Sequence, residues 1–143
     1  MKLLGLSGSL RAASTNTAFL NALAALAPDG FSIEVFDGLG ALPLFSPDLE
    51  ENTPESVLRL AARVEGCDGI LIACPEYAHG IPGGFKNALD WLVSRLEIPG
   101  KPVMLVHAST RSVFAREQLR EVLKTMSCRV FPGDECELHL IKK

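Results

Sequence analysis

The sequence lacks the features that mark several common classes of protein. Its 143 residues carry a net charge of −3, whereas nucleic-acid-binding surfaces require a basic excess. No apolar run approaches the roughly 20 residues of a membrane-spanning helix. The apolar run at the N-terminus is too short for a signal peptide. These absences predict a soluble, cytoplasmic protein with no nucleic-acid or membrane partner.

Cysteine is scarce and follows no pattern. The chain has four cysteines, which are Cys67, Cys74, Cys128 and Cys136. They form no C-x-x-C pair, and no histidine lies at metal-ligand spacing from them. We therefore interpret them as small apolar side chains of the core rather than as a metal site or redox pair. His107 and His139 belong to no pattern, and we expect structural roles for both.

Short apolar runs alternate with stretches of helical length. The clearest run, 70–74, is apolar on both faces, as a central strand of a parallel sheet must be. Helical spacing marks Val57 to Val64, with Thr53 as the expected N-cap and Pro54 at the first helical position. The whole pattern reads βαβαβαβαβ, which implies a parallel sheet with helices on both faces. The length fits a single domain, residues 1–143.

The last stretch of the chain, 129–141, is predicted to be extended. A fifth helix would be expected to cover this strand, and the sequence stops where it would begin. Two explanations stay open, because the final helix is either absent from the protein or missing from this sequence.

The stretch 7–16, between the first strand and the first helix, is rich in hydrogen-bond donors. A turn of this kind directs backbone N–H groups and the positive end of the helix dipole at one point. Ser9, Ser14, Thr15 and Asn16 add neutral donors and Arg11 adds a forked cation, which together suit a phosphate dianion. Neither G-x-x-x-x-G-K-[ST] nor G-x-G-x-x-G occurs, so no ATPase or standard dinucleotide fold is indicated. The alternative is an ordinary turn with a Ser or Thr cap and a solvated arginine.

The stretch 75–84, after the third strand, is stiffened by two prolines and three glycines. It holds the chain's only tyrosine, Tyr77, and His79 beside Gly80. An aromatic face with free backbone amides suits a flat heterocycle, whereas the plain alternative is a stiff turn that starts a helix. In open α/β sheets, ligands bind at the topological switch point, which lies between strands one and three in the order 2-1-3-4-5. Both unusual loops follow those two strands.

These motifs resemble those of the NADPH-dependent FMN reductase family. Residues 8–16 match its G-S-L-R-x-x-S-x-N signature, in Gly8-Ser9-Leu10-Arg11 with Ser14 and Asn16. Residues 75–91 are similar to its P-E-Y-x-x-x-x-P-x-x-x-K-N-x-x-D-W segment. Residues 42–45 and Asp48 look like its loop after strand two. The resemblance covers nearly the whole chain.

The resemblance implies a flavodoxin-like three-layer α/β/α fold with a five-stranded parallel sheet in the order 2-1-3-4-5. It also implies bound FMN, with NADPH or NADH as the electron donor, and assembly as a homodimer or homotetramer. Carried over by position, the FMN phosphate would be held by Ser9, Arg11, Ser14 and Asn16, with Thr15 added through its backbone amide. The isoalloxazine ring would be lined, mainly by backbone, by Pro75, Glu76, Tyr77, Ala78, His79 and Gly80.

The sequence departs from the family at two places. Ala78 stands where the family commonly has Asn, which removes one side-chain hydrogen bond. The third loop, 108–113, lacks the usual paired glycines, and Ser109 and Arg111 are candidates for contact with the pyrimidine edge of the ring. Structural or subunit-interface roles are expected for four residues of the next helix, namely Lys86, Asn87, Asp90 and Trp91.

The implied activity is hydride transfer from a nicotinamide to the flavin, followed by reduction of an acceptor. Loop amides would stabilise the negative charge of the reduced flavin, and no side-chain acid, base or nucleophile is required. The acceptors implied by the family are free flavin, quinones, azo compounds and chromate. Two alternatives stay open. One is an FMN-binding electron carrier without NAD(P)H turnover, a class typically more acidic than this chain; the other is a non-enzymatic flavin-binding protein.

Overall fold

The computed structural model describes residues 1–107, 111–132 and 136–137. The strands are β1 (Lys2–Ser7), β2 (Ser32–Val35), β3 (Gly69–Ala73), β4 (Pro102–His107), β5 (Arg129–Val130) and β6 (Cys136–Glu137). The helices are α1 (Thr15–Ala25), α2 (Glu55–Gly66), α3 (Gly83–Val93) and α4 (Val113–Thr125). Two short 3-10 helices, Leu39–Ala41 and Pro47–Asn52, lie in the loop after β2. Within the described ranges, none of the helices is long and apolar enough to cross a membrane.

The strands form one parallel sheet in the order β2-β1-β3-β4-β5. This confirms the predicted α/β class and strand order. β5 pairs with the start of β4, where Arg129 lies opposite Pro102, and β6 pairs with its end, where Glu137 lies opposite His107. Of the segment 129–141 that was expected to be extended, the described residues include two short strands, β5 and β6, which both pair with β4.

Alternate residues of the central strands face opposite layers, because successive side chains of a strand point to opposite faces. One face packs against α2, α3 and α4 and includes Leu4, Leu6, Ile70, Ile72 and Leu105. The other face packs against α1 and includes Leu71, Ala73 and Val106. Every residue of β3 is buried, which confirms the central strand read from its apolar run. Each large aliphatic side chain buried in this way stabilises the fold by about 1.5–3 kcal/mol.

The start of α2 differs from the prediction. The helix begins at Glu55, with Pro54 rather than Thr53 at the N-cap. Thr53 is extended, at ψ 124°, because a residue before proline avoids the helical region. Its hydroxyl donates instead to the carbonyl oxygen of Glu50, at 2.8 Å. The threonine therefore closes the preceding 3-10 helix and does not start the next one.

The cysteines that the structure describes lie in or beside the core. Cys67 and Cys74 are buried, and Cys128 is half-buried. Their predicted role as small apolar core residues is confirmed for Cys67 and Cys74. The side chain of Cys136 and the whole of His139 lie outside the described residues.

Candidate functional site

The loops that follow β1 and β3 begin side by side at the carboxyl edge of the sheet. Ser7 is paired with Ala73 in the parallel ladder, and the next amide, that of Gly8, donates to the carbonyl oxygen of Ala73 at 2.8 Å. Further out, the hydroxyl oxygens of Ser9 and Tyr77 lie 3.5 Å apart. The two loops singled out from the sequence therefore lie next to each other at this edge of the sheet.

Gly8 allows the first loop to approach the end of β3. A Cβ atom at this position would lie 2.5 Å from Cys74 Sγ and 3.0 Å from Cys74 Cα. Contacts this short are not tolerated without movement of the backbone, so glycine is required here for close approach rather than for an unusual dihedral angle. This packing fixes the distance between the two loops.

The hydroxyl groups of Ser7 and Thr17 support the backbone of the first loop. Thr17 Oγ1 donates to Ser7 Oγ at 2.8 Å, and Ser7 Oγ lies 3.3 Å from both the amide nitrogen and the carbonyl oxygen of Ser9. Ser7 and Ser9 are both buried, so these hydrogen bonds are shielded from competing water. Ser7 opens the candidate stretch 7–16 but was assigned no role, and Thr17 was not singled out, because serine and threonine are common in any turn between a strand and a helix.

At the N-terminus of α1, no acidic side chain offsets the positive end of the helix dipole. Ser14 is the N-cap, and its Oγ accepts from the amide of Thr17 at 3.2 Å. No acidic residue lies in the first turn. Within the described part of the chain, the amides of residues 12–16 donate to no protein acceptor. Orphan amides at a helix N-terminus favour binding of an anion.

The predicted phosphate ligands lie on this turn. Arg11 and Thr15 are exposed, Asn16 is half-buried and Ser14 is buried. Arg11 makes no ion pair with any described residue. An open depression of about 440 Å³ is lined by residues 12–15, 17, 18 and 21. The capping role that was the plain alternative for Ser14 is real, but its hydroxyl hydrogen is still available to an anion because Ser14 acts as the acceptor in the cap.

The second loop contains a two-residue turn in a left-handed conformation. Tyr77 and Gly80 exchange two backbone hydrogen bonds, each of 3.0 Å. Between them, Ala78 and His79 have φ angles of 49° and 59°. Positive φ at both central residues is the signature of a type I′ turn, which usually takes Asn-Gly. Alanine and histidine adopt this conformation only under strain.

This turn narrows the choice of backbone donors for a planar ligand. The expectation was of amide contacts across residues 75–80, but the amides of Tyr77 and Gly80 are already paired with each other, and Pro75 has no N–H group. Among the described residues, the amides of Glu76, Ala78 and His79 have no protein acceptor. Those of Ala78 and His79 are the two donors inside the turn that remain for a ligand.

The chain matches the family model described as NADPH-dependent FMN reductase over residues 1–140. The chain belongs to this family. A quinone reductase from Escherichia coli strain K12 is 33% identical over 145 residues, covering 98% of this chain and 67% of that protein. The NAD(P)H-dependent FMN reductase PA1204 from Pseudomonas aeruginosa is 40% identical over 129 residues, covering 86% of this chain and 69% of that protein. FerB, a flavoenzyme NAD(P)H:(acceptor) oxidoreductase from Paracoccus denitrificans, is 30% identical with a TM-score of 0.84, covering 94% of this chain and 77% of that one.

Membership of this FMN reductase family establishes the class of chemistry. The protein is an oxidoreductase with FMN as its cofactor and NAD(P)H as its electron donor, and its fold is flavodoxin-like. The site described above fits that cofactor, because one end offers orphan amides and a cation to a phosphate. The other end offers an aromatic ring and two unpaired amides to a flat heterocycle.

Glu76 is turned away from any direct role for its carboxylate. Its Oε1 accepts from the amide of Ala115 at 2.9 Å, in the first turn of α4. An acid at a helix N-terminus stabilises the helix through the orphan amides and the dipole. One carboxylate oxygen of Glu76 therefore serves α4, and the predicted contact of the Glu76 backbone with the ring stays a prediction.

Two residues of α4 that sequence reasoning missed support the second loop. The ring of His79 stacks on Phe114, with centroids 4.7 Å apart and planes at 26°. The side-chain amide of Gln118 contacts the backbone of His79 and of Ile81. Neither residue belongs to a motif, and each lies more than thirty positions along the chain from the turn, so no local pattern reveals the contact.

The segment of α3 from Lys86 to Trp91 contacts the loop after β2. Asn87 Nδ2 donates to Pro43 O at 2.9 Å, and Asn87 Oδ1 accepts from the amide of Phe45 at 2.8 Å. Trp91 Nε1 also donates to Pro43 O, at 2.7 Å, and the Trp91 and Phe45 rings pack edge to face at 5.1 Å. Lys86 and Asp90 form an ion pair at 2.6 Å. These contacts agree with the structural interpretation of all four α3 residues.

The third loop is only partly described. Ser109 lies outside the described residues, and Arg111 is exposed in the turn that precedes α4. Their predicted contact with the pyrimidine edge of the ring stays a prediction.

Proposed function

We propose that this flavin reductase holds FMN across the cleft between the β1 and β3 loops and passes its electrons to a quinone. The single observation that carries the proposal is the joining of the two loops, by the Gly8–Ala73 hydrogen bond and the approach of the Ser9 and Tyr77 hydroxyls. A single ligand that contacts both turns must be elongated, with a phosphate at one end and a planar ring at the other. FMN has that shape and chemistry.

The phosphate end of the proposal rests on unsatisfied donors. Ser9, Arg11, Ser14, Thr15 and Asn16 surround the start of α1, where amides of the helix are orphaned and no acidic side chain competes. Hydrogen bonds from such groups to a charged partner are stronger than neutral ones, at about 1.5–3 kcal/mol each. Arg11 adds a cation that already lies exposed and without an ion pair in the described chain.

The ring end rests on the left-handed turn. Its Ala78 and His79 amides are positioned in advance by the two hydrogen bonds between Tyr77 and Gly80. Donors fixed before the reaction stabilise developing negative charge without reorganisation. Bound FMN supplies the acceptance of a hydride from the nicotinamide and the return of two electrons, with protons, to the acceptor. The protein binds and orients the flavin and stabilises the negative charge of its reduced form.

No acid–base group of the cleft is needed for this role. The Glu76 carboxylate is occupied by the amide of Ala115, and burial raises the pKa of Cys74 to about 12. Tyr77 and Phe114 are each about half exposed beside the turn, and they offer apolar ring faces. Such a surface suits a small planar acceptor, and this supports a quinone over an oxyanion such as chromate.

The cofactor assignment is tested with Arg11→Ala. The purified variant is titrated with FMN and with riboflavin, and flavin fluorescence is followed. We expect FMN affinity to fall by about tenfold while riboflavin affinity stays the same, because only FMN carries the phosphate. Arg59→Ala is the matched control, since Arg59 is also an exposed arginine and lies on α2 away from the cleft. Equal FMN affinity in wild type and Arg11→Ala contradicts the phosphate assignment.

The acceptor is tested by steady-state kinetics with NADPH and the FMN-loaded protein. We expect kcat/KM to be higher with 1,4-benzoquinone than with riboflavin or chromate. A preference for riboflavin identifies a free-flavin reductase instead. A protein that binds FMN but oxidises NADPH with none of these acceptors is an electron carrier.

We also propose that residues 1–143 form one FMN-binding domain, that the chain assembles as a homodimer or homotetramer, and that it works in the cytoplasm. Leu44 and Leu96 are 82% and 94% exposed, and their burial between subunits would remove this apolar surface from water. The cytoplasm supplies reduced nicotinamide as the donor. Light scattering on the eluted protein measures the assembly directly, and a monomer at micromolar concentration contradicts it.

A further inference from the structure

The left-handed turn from Tyr77 to Gly80 is hydrogen-bonded to a residue of α4. Gln118 Nε2 donates to the carbonyl oxygen of His79 at 3.3 Å, and Gln118 Oε1 accepts from the amide of Ile81 at 3.1 Å. One side-chain amide is therefore hydrogen-bonded to the backbone of His79, inside the turn, and of Ile81, just after it. The amide plane fixes the relative orientation of these two peptide groups.

Gly80 leaves room for the Gln118 side chain to make these two hydrogen bonds. A Cβ atom on Gly80 would lie 3.0 Å from Gln118 Oε1 and 3.5 Å from Gln118 Nε2. The side chain of Gln118 thus packs directly over the bare backbone of Gly80. A side chain at residue 80 would press on the amide group of Gln118, so glycine favours this close approach.

Two further contacts join the same loop to the same helix. The Glu76 carboxylate accepts from the amide of Ala115 at 2.9 Å, and the His79 ring stacks on Phe114 at 4.7 Å. The loop is therefore attached to the first two turns of α4 both before the turn and at its tip. Since α4 is anchored in the core by buried Leu119 and Leu123, it provides a rigid support.

The turn needs such a support, because its own sequence does not favour its conformation. Type I′ turns usually carry Asn-Gly, whereas the central residues here are Ala78 and His79, both at positive φ. A non-glycine residue in the left-handed region is strained, and it persists only when the surroundings hold it there. Gln118 engages this backbone directly from another element, by donating to His79 O inside the turn and accepting from Ile81 N just after it.

We propose that Gln118 is a positioning residue for the flavin. It holds the Ala78–His79 peptide groups in the left-handed conformation, and this sets the direction of the two amides that remain for the ring. The proposal rests on the proposed function, since it takes the turn to be the seat of the isoalloxazine ring. Gln118 itself is exposed on the outer side of the loop and acts through the turn, without touching the cofactor.

The first test is Gln118→Ala, studied without and with FMN. In the apo protein, amide exchange of Tyr77 and Gly80 becomes faster than in wild type, because the turn opens more often. With FMN, affinity falls by about three- to tenfold, the loss of one or two neutral hydrogen bonds. The midpoint potential of the bound flavin becomes more negative, because poorly fixed amides stabilise the negative charge of the reduced form less well.

The matched control is Glu117→Ala. Glu117 is the preceding exposed residue of α4 and makes no side-chain hydrogen bond or ion pair in the described chain, so its variant leaves the exchange rates, FMN affinity and potential as in wild type. Gln118→Glu is intermediate, because its carboxylate still accepts from the amide of Ile81 but no longer donates to His79 O.

The second test is a rescue by turn chemistry. The paired substitution Ala78→Asn with His79→Gly supplies the residues that form a type I′ turn unaided. In this background, Gln118→Ala has a smaller effect on FMN affinity and on Gly80 exchange than in the wild-type background. A merely structural role for Gln118 in α4 gives the same loss in both backgrounds, and that outcome overturns the proposal.

Failure of this proposal is distinguishable from failure of the proposed function. If Gln118→Ala changes neither the amide exchange of Tyr77 and Gly80 nor FMN binding in a protein whose wild type binds FMN, the positioning role is wrong and the flavin site stands. If Arg11→Ala leaves FMN affinity unchanged and Tyr77→Ala leaves the flavin spectrum unchanged, the site itself is misplaced. A third outcome is faster amide exchange in apo Gln118→Ala with unchanged FMN affinity and midpoint potential. It would show that Gln118 stabilises the turn without affecting the cofactor, and this too overturns the positioning role.

Discussion

The hydroxyl oxygens of Ser9 and Tyr77 lie 3.5 Å apart, although 68 residues separate them along the chain. At this distance the hydrogen bond between them is weak. Its importance is geometric, because it brings together a turn that suits a phosphate and a turn that suits a planar ring. The parallel pairing of β1 with β3 is the cause, since it places the loops after both strands at one edge of the sheet.

Tyr77 is expected to act through its ring rather than its hydroxyl. Tyr77→Phe removes only the long contact with Ser9, so we expect FMN affinity within about twofold of wild type and an unchanged visible spectrum of the bound flavin. Tyr77→Ala removes the half-exposed ring, and a shifted flavin spectrum with slower NADPH oxidation is expected. Absorbance titration and steady-state kinetics measure these effects.

Phe31→Ala is the control for the loss of an exposed aromatic ring. Phe31 is 45% exposed and precedes β2, at the opposite edge of the sheet, so its removal leaves the flavin spectrum unchanged. A Tyr77→Ala protein with wild-type spectrum and kinetics would show that the ring does not touch the flavin.

Gly8→Ala is expected to push the two loops apart. The new methyl group would lie 2.5 Å from Cys74 Sγ and 3.0 Å from the Cα of the same residue. Forcing an extra methyl group into a well-packed site destabilises a protein by about 1–3 kcal/mol. We expect a loss of that size in the free energy of unfolding, measured by urea denaturation, together with weaker FMN binding.

Two further variants identify the cause of the Gly8→Ala effect. Cys74→Ala removes the sulfur atom and, combined with Gly8→Ala, restores part of the lost stability, since the backbone contact stays. Gly66→Ala is the control, because nothing lies within 4 Å of the added methyl group; alanine there is neutral or stabilises by up to about 1 kcal/mol. Equal stability of Gly8→Ala and Gly66→Ala would contradict the close-approach argument.

The sequence was sufficient to predict what depends on local patterns. The apolar run 70–74 identified the central strand, because only a strand buried on both faces is apolar throughout. The loops carrying Arg11 and Tyr77 followed from their positions after the first and third strands. The strand order came from a resemblance to a family, since periodicity fixes which residues are buried and not which strands are neighbours.

The remaining features of the site depend on contacts between distant residues. Gln118 reaches the turn from a helix whose own periodicity shows only an exposed polar residue, so the sequence offers no signal for it. Glu76 was grouped with the ring ligands by its motif, whereas its carboxylate caps α4. A motif reports that a residue type is needed and does not distinguish contact with a ligand from support of a neighbouring helix.

The buried thiols are expected to resist alkylation in the native protein. Burial raises the pKa of Cys74 to about 12 and that of Cys128 to about 11, and the thiolate is the reactive form. At pH 8 we expect iodoacetamide to modify Cys74 on the order of a thousandfold more slowly than an unperturbed thiol, with Cys128 faster than Cys74. Peptide mapping by mass spectrometry measures each rate, and denatured protein is the control. Modification of Cys74 before Cys128 would contradict the order of burial.

The ion pair of Arg95 with Glu97 is expected to make stability depend on pH below neutrality. Arg95 Nη2 and Nε donate to the two carboxylate oxygens of Glu97 at 2.7 and 3.0 Å, and both side chains are largely covered. The hydrogen bonds from Arg95, together with its charge, lower the pKa of Glu97. The folded state therefore binds this proton less readily than the unfolded chain, where the pKa of glutamate is about 4.3.

A lowered pKa in the folded state contributes stability that is complete above the unfolded pKa and is lost as the pH falls through the folded pKa. Glu97→Gln is therefore expected to lower the free energy of unfolding by about 0.2–1 kcal/mol at pH 7, and the difference from wild type shrinks below about pH 4. Urea denaturation at several pH values from neutral to acid measures it. Glu51→Gln is the control, because Glu51 is exposed and makes no side-chain hydrogen bond or ion pair in the described chain. A Glu97→Gln deficit that stays constant or grows in acid would show that the ion pair is not its source.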